Sequence, residues 1–284
     1  MTDIEQTLQT GVQSLEDELA VDDFGTKSRN LSKMIRAGLP VPNGWALSWE
    51  FAQQVTKGHR GAIERLLRIG DAAPGLLAVR SSAIGEDGEG ASFAGQHLTI
   101  LGVSGAHALV SAVVRVERSG ETEAARTYRQ SSGVSEEPKV AVTIQKLLDP
   151  EVAGVMFTVN PLNGDDERLA EAAWGLGDAV VSSRVSPDSY RIARGGVLLS
   201  STAGVKRLSL HPKAGGGIEE REIHSNCAAE LSLSGGDFAA LDDLATRCET
   251  VFGHGQDIEW AKAEGCFWLL QSRPITSMCA ARRA

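Results

Sequence analysis

The chain has 284 residues, of which 42% are hydrophobic and 23% charged, and its formal net charge is -9. This composition is typical of a folded globular protein with a large core, and it excludes a disordered chain. The acidic balance argues against nucleic acid as a principal partner, because binding to a phosphate backbone needs a dense basic surface. The four cysteines form no CxxC pair and lie in the last quarter of the chain, so the sequence indicates neither a zinc site nor a disulfide framework.

The N-terminal segment MTDIEQTLQTGVQSLEDELA has acidic residues where a signal peptide would have basic ones. No segment reaches the ~20 consecutive apolar residues of a membrane span. We therefore expect a cytoplasmic protein that has reduced thiols and no membrane partner.

In the first half of the chain, residues 22–45 predict a glycine turn and then a helix that stops at Gly38 and Pro40, so that Lys27 lies just before a helix. Residues 48–69 predict another helix. The run GLLAVRSS predicts a short buried strand that ends at Arg80, and an acidic, glycine-rich loop follows it. Further predicted elements are a strand over 97–103 and a long helix over 104–131.

In the second half, KVAVTIQKLL alternates apolar and polar residues, which predicts a half-buried strand that carries Gln145 among its polar set. GVMFTVNP predicts another strand, and EAAWGLGDAVVSS a strand, a glycine turn and the start of a helix. Residues 208–233 lack periodicity and predict an exposed connection. A helix over 237–252 and a hairpin in DIEWAKAEGCFWLLQSRPIT close the predicted elements.

The stretch AVRSSAIGEDGEGASFAG places an arginine and two serines at the end of a strand, before a loop rich in glycine. Backbone N–H groups crowd together in such a loop, and with the arginine they suit a polyphosphate. A surface loop with a structural arginine is the alternative, and this segment alone does not decide between the two.

The terminal hairpin offers oxygen ligands on one face. If Ala263-Glu264-Gly265 form a three-residue loop, then Trp260 opposes Trp268 and Glu259 opposes Leu269. Because strand side chains alternate, Glu259, Gln271 and Arg273 then share one face, while Ile258, Trp260, Trp268 and Leu270 form the core face. A carboxylate and an amide oxygen are ligands that Mg²⁺ takes, and an arginine nearby contacts phosphate. The alternative is an edge-strand salt bridge between Glu259 and Arg273.

Five blocks in order along the chain resemble the ATP-binding domain of the phosphoenolpyruvate synthase, pyruvate phosphate dikinase and rifampin phosphotransferase family. They are GTKSRNLSKMIRAGLPVPNGWALS, AVRSSAIGEDGEGASFAGQHLTILGV, GVMFTVNP, EAAWGLGDAVVSSRVSPDSY and QDIEWAKAEGCFWLLQSRPIT. The resemblance implies an α+β protein of the ATP-grasp type, with two lobes that clamp Mg-ATP. We expect an N-terminal lobe over residues 1–130, a C-terminal lobe over 131–276 and a tail over 277–284.

The resemblance assigns roles to residues in both predicted lobes. In the first, Lys27 matches the phosphate-binding lysine, Arg80 matches the arginine that reaches the phosphates, and Gly95 and Thr99 fall in the loop and strand that cover the nucleotide. In the second, Gln145, Lys146 and Leu147 match the strand beside the adenine.

The resemblance also assigns the hairpin. Glu259 and Gln271 match the magnesium ligands, Arg273 matches the catalytic arginine, and Asp257 has a supporting part. Catalysis would thus rest on Arg273, Lys27 and Arg80, with ATP and Mg²⁺ as cofactors. The family commonly has GGK and PQDIEW where this chain has GTK and GQDIEW, and these changes leave the essential side chains in place.

Family enzymes pass the β-phosphoryl group of ATP to a carrier histidine, which yields AMP and phosphate. None of the six histidines of this chain stands in a phosphocarrier context. The resemblance therefore implies an ATP-dependent phosphotransferase that needs a separate phosphohistidine carrier and a substrate-binding protein. Three alternatives stay open at this point: a self-sufficient ATP-grasp kinase or ligase that acts on a small molecule, a non-catalytic nucleotide-binding module, and a part of a longer enzyme.

Overall fold

The computed structural model describes residues 10–85, 98–121 and 139–275, which form two compact units. The first unit takes the described residues up to Leu147 apart from Ala37–Val41, and also Pro212–Gly217. The second takes Ala37–Val41, Leu148–His211 and the described residues from Ile218 onward. The predicted division at residue 130 differs from this one because the strand over Val140–Lys146 pairs inside the first unit.

The first unit is an antiparallel five-stranded sheet in the order β1-β2-β5-β3-β4 with helices packed on it. Its strands are β1 (Val12–Ser14), β2 (Gly44–Leu47), β3 (Leu77–Ala83), β4 (Thr99–Val103) and β5 (Val140–Lys146), and its helices are α1 (Val21–Arg36), α2 (Trp49–Thr56), α3 (Arg60–Ala72) and α4 (Ala106–Arg118).

One face of this first sheet forms the core of the unit. Val79 of β3 and Ile144 of β5 oppose each other on that face. Both are fully buried, and they belong to one apolar cluster with side chains of α2, α3 and α4 such as Phe51, Leu66 and Leu109. Burial of such side chains stabilises a fold by roughly 1.5–3 kcal/mol each. The other face of the sheet is therefore left for α1 and for polar residues.

The second unit contains a six-stranded antiparallel sheet in the order β13-β12-β6-β7-β8-β9 and a two-stranded ribbon. The strands of the sheet are β6 (Val152–Phe157), β7 (Glu167–Trp174), β8 (Asp188–Ala193), β9 (Val197–Thr202), β12 (Gln256–Ala263) and β13 (Cys266–Pro274). The ribbon pairs β10 (Leu208–Pro212) with β11 (Ile218–Glu222), and the helices are α5 (Asp178–Val181) and α6 (Asp237–Phe252).

Helix α6 covers one face of this second sheet. Arg168 of β7, which is fully buried, donates to Asp242 at 2.8 Å and to Glu249 at 2.9 Å, both on α6. The Tyr190 ring of β8 contacts the Phe238 ring of α6, with centroids 5.6 Å apart. The opposite face of the sheet is not the one that these α6 contacts cover, so it is the candidate location of a functional site.

Comparison with the predicted elements confirms the α+β class and corrects three segments. The predicted helix over 48–69 is two helices, because the chain turns at Gly58, which has φ +80°. Within the predicted long helix over 104–131, the structure has a helix over Ala106–Arg118 and then a short 3-10 turn over Ser119–Glu121, while residues 122–131 lie outside the described residues. The predicted exposed connection over 208–233 is wrong in part, because it contains the β10–β11 ribbon. Within the ranges that the structure describes, no helix is long and apolar enough to cross a bilayer.

Candidate functional site

The predicted phosphate-binding lysine lies next to a break in α1. Gly25 has φ 73° and ψ 166°, which interrupts the helix, and Lys27 follows two residues later at the start of a new turn. A Cβ on Gly25 would lie 2.1 Å from the carbonyl oxygen of Ser82 in β3. Only glycine fits there, since both the left-handed φ and the close approach exclude a side chain. The backbone break therefore holds Lys27 against the end of β3.

Three hydroxyl groups fix this turn to the sheet. The Ser82 hydroxyl donates to the Phe24 carbonyl at 2.7 Å and accepts the Ser28 N–H at 3.1 Å. The Ser28 hydroxyl lies 2.6 Å from that of Thr143 on β5. All three hydroxyl residues are buried, so the bonds replace water that the groups would otherwise need. Ser82, in the VRSSA segment, thus positions the turn that carries Lys27.

Arg80 and Thr99 lie on the α1 face of the first sheet. Arg80 opposes Thr99 of β4 on one side and Thr143 of β5 on the other. Opposed residues share a face, so Arg80 and Thr99 lie on the face that the Ser28–Thr143 contact joins to α1. Three of the predicted residues, Lys27, Arg80 and Thr99, are therefore brought to one face, whereas Gly95 lies outside the described residues.

Gln145 is on the same face, two residues along β5 from Thr143, and it opposes Ala78. It is 2% exposed, and its amide donates to the Pro42 carbonyl at 3.2 Å. The Lys146 N–H donates to Asn43 and the Leu147 N–H to the Leu76 carbonyl, at 2.9 and 2.8 Å. Gln145 thus has a structural bond, and Lys146 and Leu147 are the last residues of the first unit before the chain continues into the second.

The register of the β12–β13 hairpin differs from the predicted one. Ala263 pairs with Cys266, so the loop has two residues, Glu264 and Gly265, with φ 54° and 72°. Positive φ at both central positions defines a type I′ turn, whose twist matches that of the flanking strands. The predicted pairings of Trp260 with Trp268 and of Glu259 with Leu269 are therefore wrong.

A bulge in the hairpin restores the predicted polar face. Trp260 pairs with Leu269, but the register shifts at that point, and Glu259 pairs with Gln271. The extra residue is Leu270. Two predicted core positions change as a result, because Leu269 is fully buried, while Trp268 opposes Ala261 on the Glu259 face and Leu270 is the unpaired bulge residue.

Four polar residues occupy this face in two directly opposed pairs. Asp257 pairs with Arg273, and Glu259 with Gln271. The Arg273 guanidinium donates from Nε to the Asp257 carboxylate at 2.8 Å and approaches it from a terminal nitrogen at 2.7 Å. Arg273 thus forms a salt bridge with Asp257, which orients the arginine.

Burial raises the pKa of Asp257, and the charge of Glu259 raises it further, whereas Arg273 opposes both effects. Arg273 opposes the rise because a nearby cation favours the ionised form of a carboxylate. Asp257 and Arg273 therefore depend on each other, and a change in either alters the charge of the face.

The Glu259–Gln271 pair fits a magnesium ion in the chemistry of its oxygens. Mg²⁺ is bound through one or two protein oxygens together with phosphate oxygens and water, not by a closed protein cage. In the described part of the chain, no group of three or more His, Cys, Asp and Glu side chains is arranged so that it could hold a metal ion. A carboxylate beside an amide oxygen on an open sheet face is the donor set that a metal shared with phosphates needs.

Sequence reasoning missed a third carboxylate on this face, in addition to Asp257 and Glu259. Val155 of β6 opposes Glu259, and Glu171 of β7 opposes Val155. Neighbouring strands are ~4.8 Å apart, so Glu171 lies roughly 10 Å across the face from Glu259. Glu171 is exposed, and the sequence ERLAEAAW has no regular alternation that could have identified it.

The Gly25 conformation leads to a first prediction. Substitution of Gly25 by Ala is expected to destabilise the chain by roughly 3 kcal/mol, because the left-handed strain adds to the clash with the Ser82 backbone. Gly58→Ala is the matched control, since Gly58 has φ +80° and no atom within 4 Å of the added Cβ. Urea unfolding should show a much smaller loss for the control, and equal losses would mean that the close approach to Ser82 is unimportant.

Comparisons with known proteins bear on these residues. The family model described as "Pyruvate phosphate dikinase, AMP/ATP-binding domain" matches residues 47–284. A probable phosphoenolpyruvate synthase of Methanothermobacter thermautotrophicus is 40% identical over 204 residues, which cover 71% of this chain and 30% of that protein. A rifampicin phosphotransferase of Streptomyces sviceus is 37% identical over 221 residues, 77% of this chain and 25% of that protein.

A further relative, an uncharacterized phosphotransferase of Bacillus subtilis, is 30% identical over an alignment covering 92% of this chain and 34% of its own length. Among solved structures, D-alanyl-alanine synthetase A from Vibrio cholerae aligns with 89% of this chain and 58% of its own, at 13% identity and a TM-score of 0.40. The chain spans about a quarter to a third of the length of these curated relatives. With a family match over most of its residues, the chain belongs to the pyruvate phosphate dikinase AMP/ATP-binding domain family.

Proposed function

We propose that the chain is the Mg-ATP-binding component of a dikinase-type phosphotransferase, which donates the β-phosphoryl group of ATP to a histidine carrier on a separate protein. The observation that carries the proposal is the pairing of Glu259 with Gln271 beside the Asp257–Arg273 pair on one sheet face. This arrangement supplies metal ligands and a cation together, which phosphoryl transfer requires. Relatives named phosphoenolpyruvate synthase and rifampicin phosphotransferase support the same reaction class.

The first unit would supply cations and backbone groups to the phosphates. Lys27 follows the Gly25 break, and Arg80 lies on the same side of the sheet. Arginine and lysine neutralise phosphate oxygens, and a turn held by buried hydrogen bonds needs no rearrangement to do so. Thr99 opposes Arg80 and, with Gly95, would contact the nucleotide. Gln145, Lys146 and Leu147 would lie beside the adenine.

In the second unit, Glu259 and Gln271 would hold Mg²⁺. A bound magnesium ion neutralises phosphate charge and orients the phosphates for in-line transfer. Arg273 would stabilise the charge that develops on the transferring group, and Asp257 would hold the arginine side chain ready. The protein contribution is therefore positioning and electrostatic stabilisation, with no covalent step on these residues.

The carrier histidine and the binding site for the phosphoryl acceptor would lie on a separate protein. The relatives are three to four times as long as the parts that match this chain, since those parts cover 25 to 34% of them. A nucleotide-binding component of this kind should turn over slowly by itself. Lysate of the source organism, added to the purified chain, should then restore phosphoryl transfer.

Label transfer tests the proposed route. The chain is incubated with lysate and ATP labelled at either the β- or the γ-phosphorus. We expect the β-label on a protein, in a form stable to alkali and labile to acid as a phosphohistidine is, only when the chain is present. A γ-label on a small molecule would instead indicate a self-sufficient kinase, and protein labelling that does not depend on the chain would contradict the proposal.

The metal assignment leads to a second prediction. In calorimetric titrations, Glu259→Gln is expected to weaken Mg-ATP binding at least about tenfold, while binding of ATP without Mg²⁺ changes little. Glu264→Gln is the matched control, because it removes a carboxylate from the turn of the same hairpin. An unchanged magnesium dependence in Glu259→Gln would show that Glu259 is not a metal ligand.

A further inference from the structure

The β10–β11 ribbon and the segments next to it enclose a cavity of about 730 Å³ in the second unit. The residues that line it lie within 205–208, 220–223 and 225–229. Sites for small molecules usually have volumes of roughly 300–1,000 Å³, so this cavity has room for a ligand. None of the described residues that line it belongs to the polar pairs of the β12–β13 hairpin, and it is therefore a separate candidate site.

Backbone hydrogen bonds join the walls of this cavity. The Lys206 N–H donates to the Ala228 carbonyl at 2.8 Å, and the Ile223 N–H donates to the Arg207 carbonyl at 3.0 Å. The buried ion pair between Lys206 and Asp188 also fixes the first of these segments to β8. Walls that are joined in this way need not be ordered by a ligand, which lowers the free-energy cost of binding.

Apolar side chains form one part of the wall. They are Val205, Leu208, Ile223, Ala228 and Ala229. Val205 is 51% exposed, which is unusual for so apolar a side chain beside a cavity and a fully buried ion pair. A ligand that covers this wall removes apolar surface from water, so the ligand is expected to have an apolar body.

Two of the four charged residues at the cavity already have partners. The Glu220 carboxylate pairs with Arg184 at 2.5 Å, and the Arg221 guanidinium pairs with Glu219 at 2.8 Å. A ligand would have to compete with these ion pairs for the same groups. Glu220 and Arg221 are therefore not the groups that select a ligand.

The other two charged residues, Arg207 and Glu222, are available to a ligand. Neither side chain has an ion-pair or hydrogen-bond partner in the part of the chain that the structure describes. They come from the same end of the ribbon, since Arg207 accepts the Ile223 N–H and Glu222 directly precedes Ile223. A ligand of one charge would attract one of these residues and repel the other, whereas a ligand with both charges satisfies both.

We propose that this cavity binds a zwitterion with an apolar body, which is either a free apolar amino acid or a short apolar peptide with free termini. Arg207 pairs with the carboxylate of the ligand and Glu222 with its ammonium group, while Val205 and Leu208 contact the apolar part. The proposal does not depend on the phosphotransferase function, because the cavity is built from other residues of the second unit.

Ligand-observed NMR on the full chain tests this proposal. The probes are L-leucine, L-phenylalanine and their homodipeptides, and at least one should bind with a dissociation constant of about 1 mM or lower. Tighter binding of the amino acids or of the dipeptides identifies which of the two sources the site prefers. Leucinamide lacks the carboxylate and 4-methylpentanoate lacks the ammonium group, so each should bind at least about tenfold more weakly than L-leucine. Failure of all four probes to bind at about 10 mM would overturn the proposal.

Substitutions then assign the two charges. Arg207→Gln and Glu222→Gln should each weaken binding of the best probe at least about tenfold, because each leaves one charge of the ligand unpaired. Arg115→Gln and Glu230→Gln are the matched controls, since both residues are exposed and neither lines the cavity. All four side chains are exposed, so the unfolding midpoint should not change.

A comparison of variant and ligand separates direct pairing from an indirect effect. If Arg207 binds the carboxylate, then Arg207→Gln should lose the preference for L-leucine over leucinamide. Glu222→Gln should likewise lose the preference for L-leucine over 4-methylpentanoate. Wild-type affinity in both variants, or wild-type preferences in both, would overturn the proposal.

Discussion

Substitution of Arg273 by Ala is expected to lower phosphoryl transfer by about 10²–10³-fold while ATP binding changes by less than tenfold. Arg273 lies beside the proposed metal ligands and is oriented by Asp257 at 2.7 to 2.8 Å. A cation so placed contributes most where negative charge develops in the transition state. Transfer is measured as label on the carrier, and affinity by calorimetry.

Arg221→Ala provides the matched control for Arg273→Ala. Arg221 is exposed on β11 and pairs with Glu219 at 2.8 Å. An exposed pair contributes little to stability, so the control should keep full activity. Loss of ATP binding in Arg273→Ala, in parallel with its transfer activity, would indicate a general binding role in place of the catalytic one. Unchanged transfer would refute the assignment altogether.

Substitution of Lys206 by Met is expected to destabilise the chain by about 3–5 kcal/mol, because it leaves the Asp188 carboxylate buried without its cation. The two residues form an ion pair in which both side chains are fully buried. Asp188 also accepts hydrogen bonds from the Ser232 N–H at 2.8 Å, the Ser232 hydroxyl at 2.7 Å and the Gly204 N–H at 2.8 Å. It thereby joins β8 to the segments on either side of the ribbon.

Urea unfolding gives the size of this loss, and two variants separate its causes. Lys213→Met changes an exposed lysine and should have almost no effect. Adding Asp188→Asn to Lys206→Met removes the unpaired charge and should recover part of the lost stability. If the double variant is no more stable than Lys206→Met, the buried charge is not the cause.

The pH dependence of the Lys206→Met effect has a defined sign. Burial alone would raise the pKa of Asp188, but hydrogen bonds from Lys206, Ser232 and Gly204 lower it below its ordinary value. The wild-type pair therefore stabilises the fold above the pKa of an unfolded aspartate, and this contribution is lost as the pH falls through the lower folded pKa. The contribution of the pair, measured as the stability difference between wild type and Lys206→Met, should consequently be kept from about pH 7 down to about pH 4 and be lost as the pH falls further.

The terminal hairpin shows how much of the site could be predicted from the sequence. Alternation placed Glu259, Gln271 and Arg273 on one face, and this is confirmed although the predicted loop was wrong. The error came from Glu264, a residue other than glycine that adopts φ 54° in a two-residue turn. The loop is one residue shorter than predicted, and the bulge opposite Glu259 adds one residue to β13. These two differences compensate for each other, so Glu259 still pairs with a residue of the predicted face, Gln271.

Local patterns could not predict the contacts that position Lys27. Gly25 looks like an ordinary turn glycine, and its importance comes from the Ser82 carbonyl, which is distant in the sequence. The same applies to the salt bridge between Asp257 and Arg273, which strand alternation alone does not indicate. Such contacts depend on tertiary packing, which overrides local preference.

The β10–β11 ribbon was missed for a different reason. Its second strand, IEERE, is mostly exposed and has no apolar alternation from which a strand could be recognised. A ribbon stabilised by backbone pairing leaves little hydrophobic pattern in the sequence. The buried Lys206 just before it was equally unpredictable, because its partner Asp188 lies on β8 and the pair forms only in the folded unit.

The identity of the nucleotide products tests the central claim most directly. Phosphorus NMR follows Mg-ATP incubated with the purified chain, with lysate of the source organism, and with both together. A dikinase component should give AMP and phosphate only in the combined sample, and Arg273→Ala should abolish them. Production of ADP in a chain-dependent reaction, or the same AMP yield with Arg273→Ala, would contradict the proposed function.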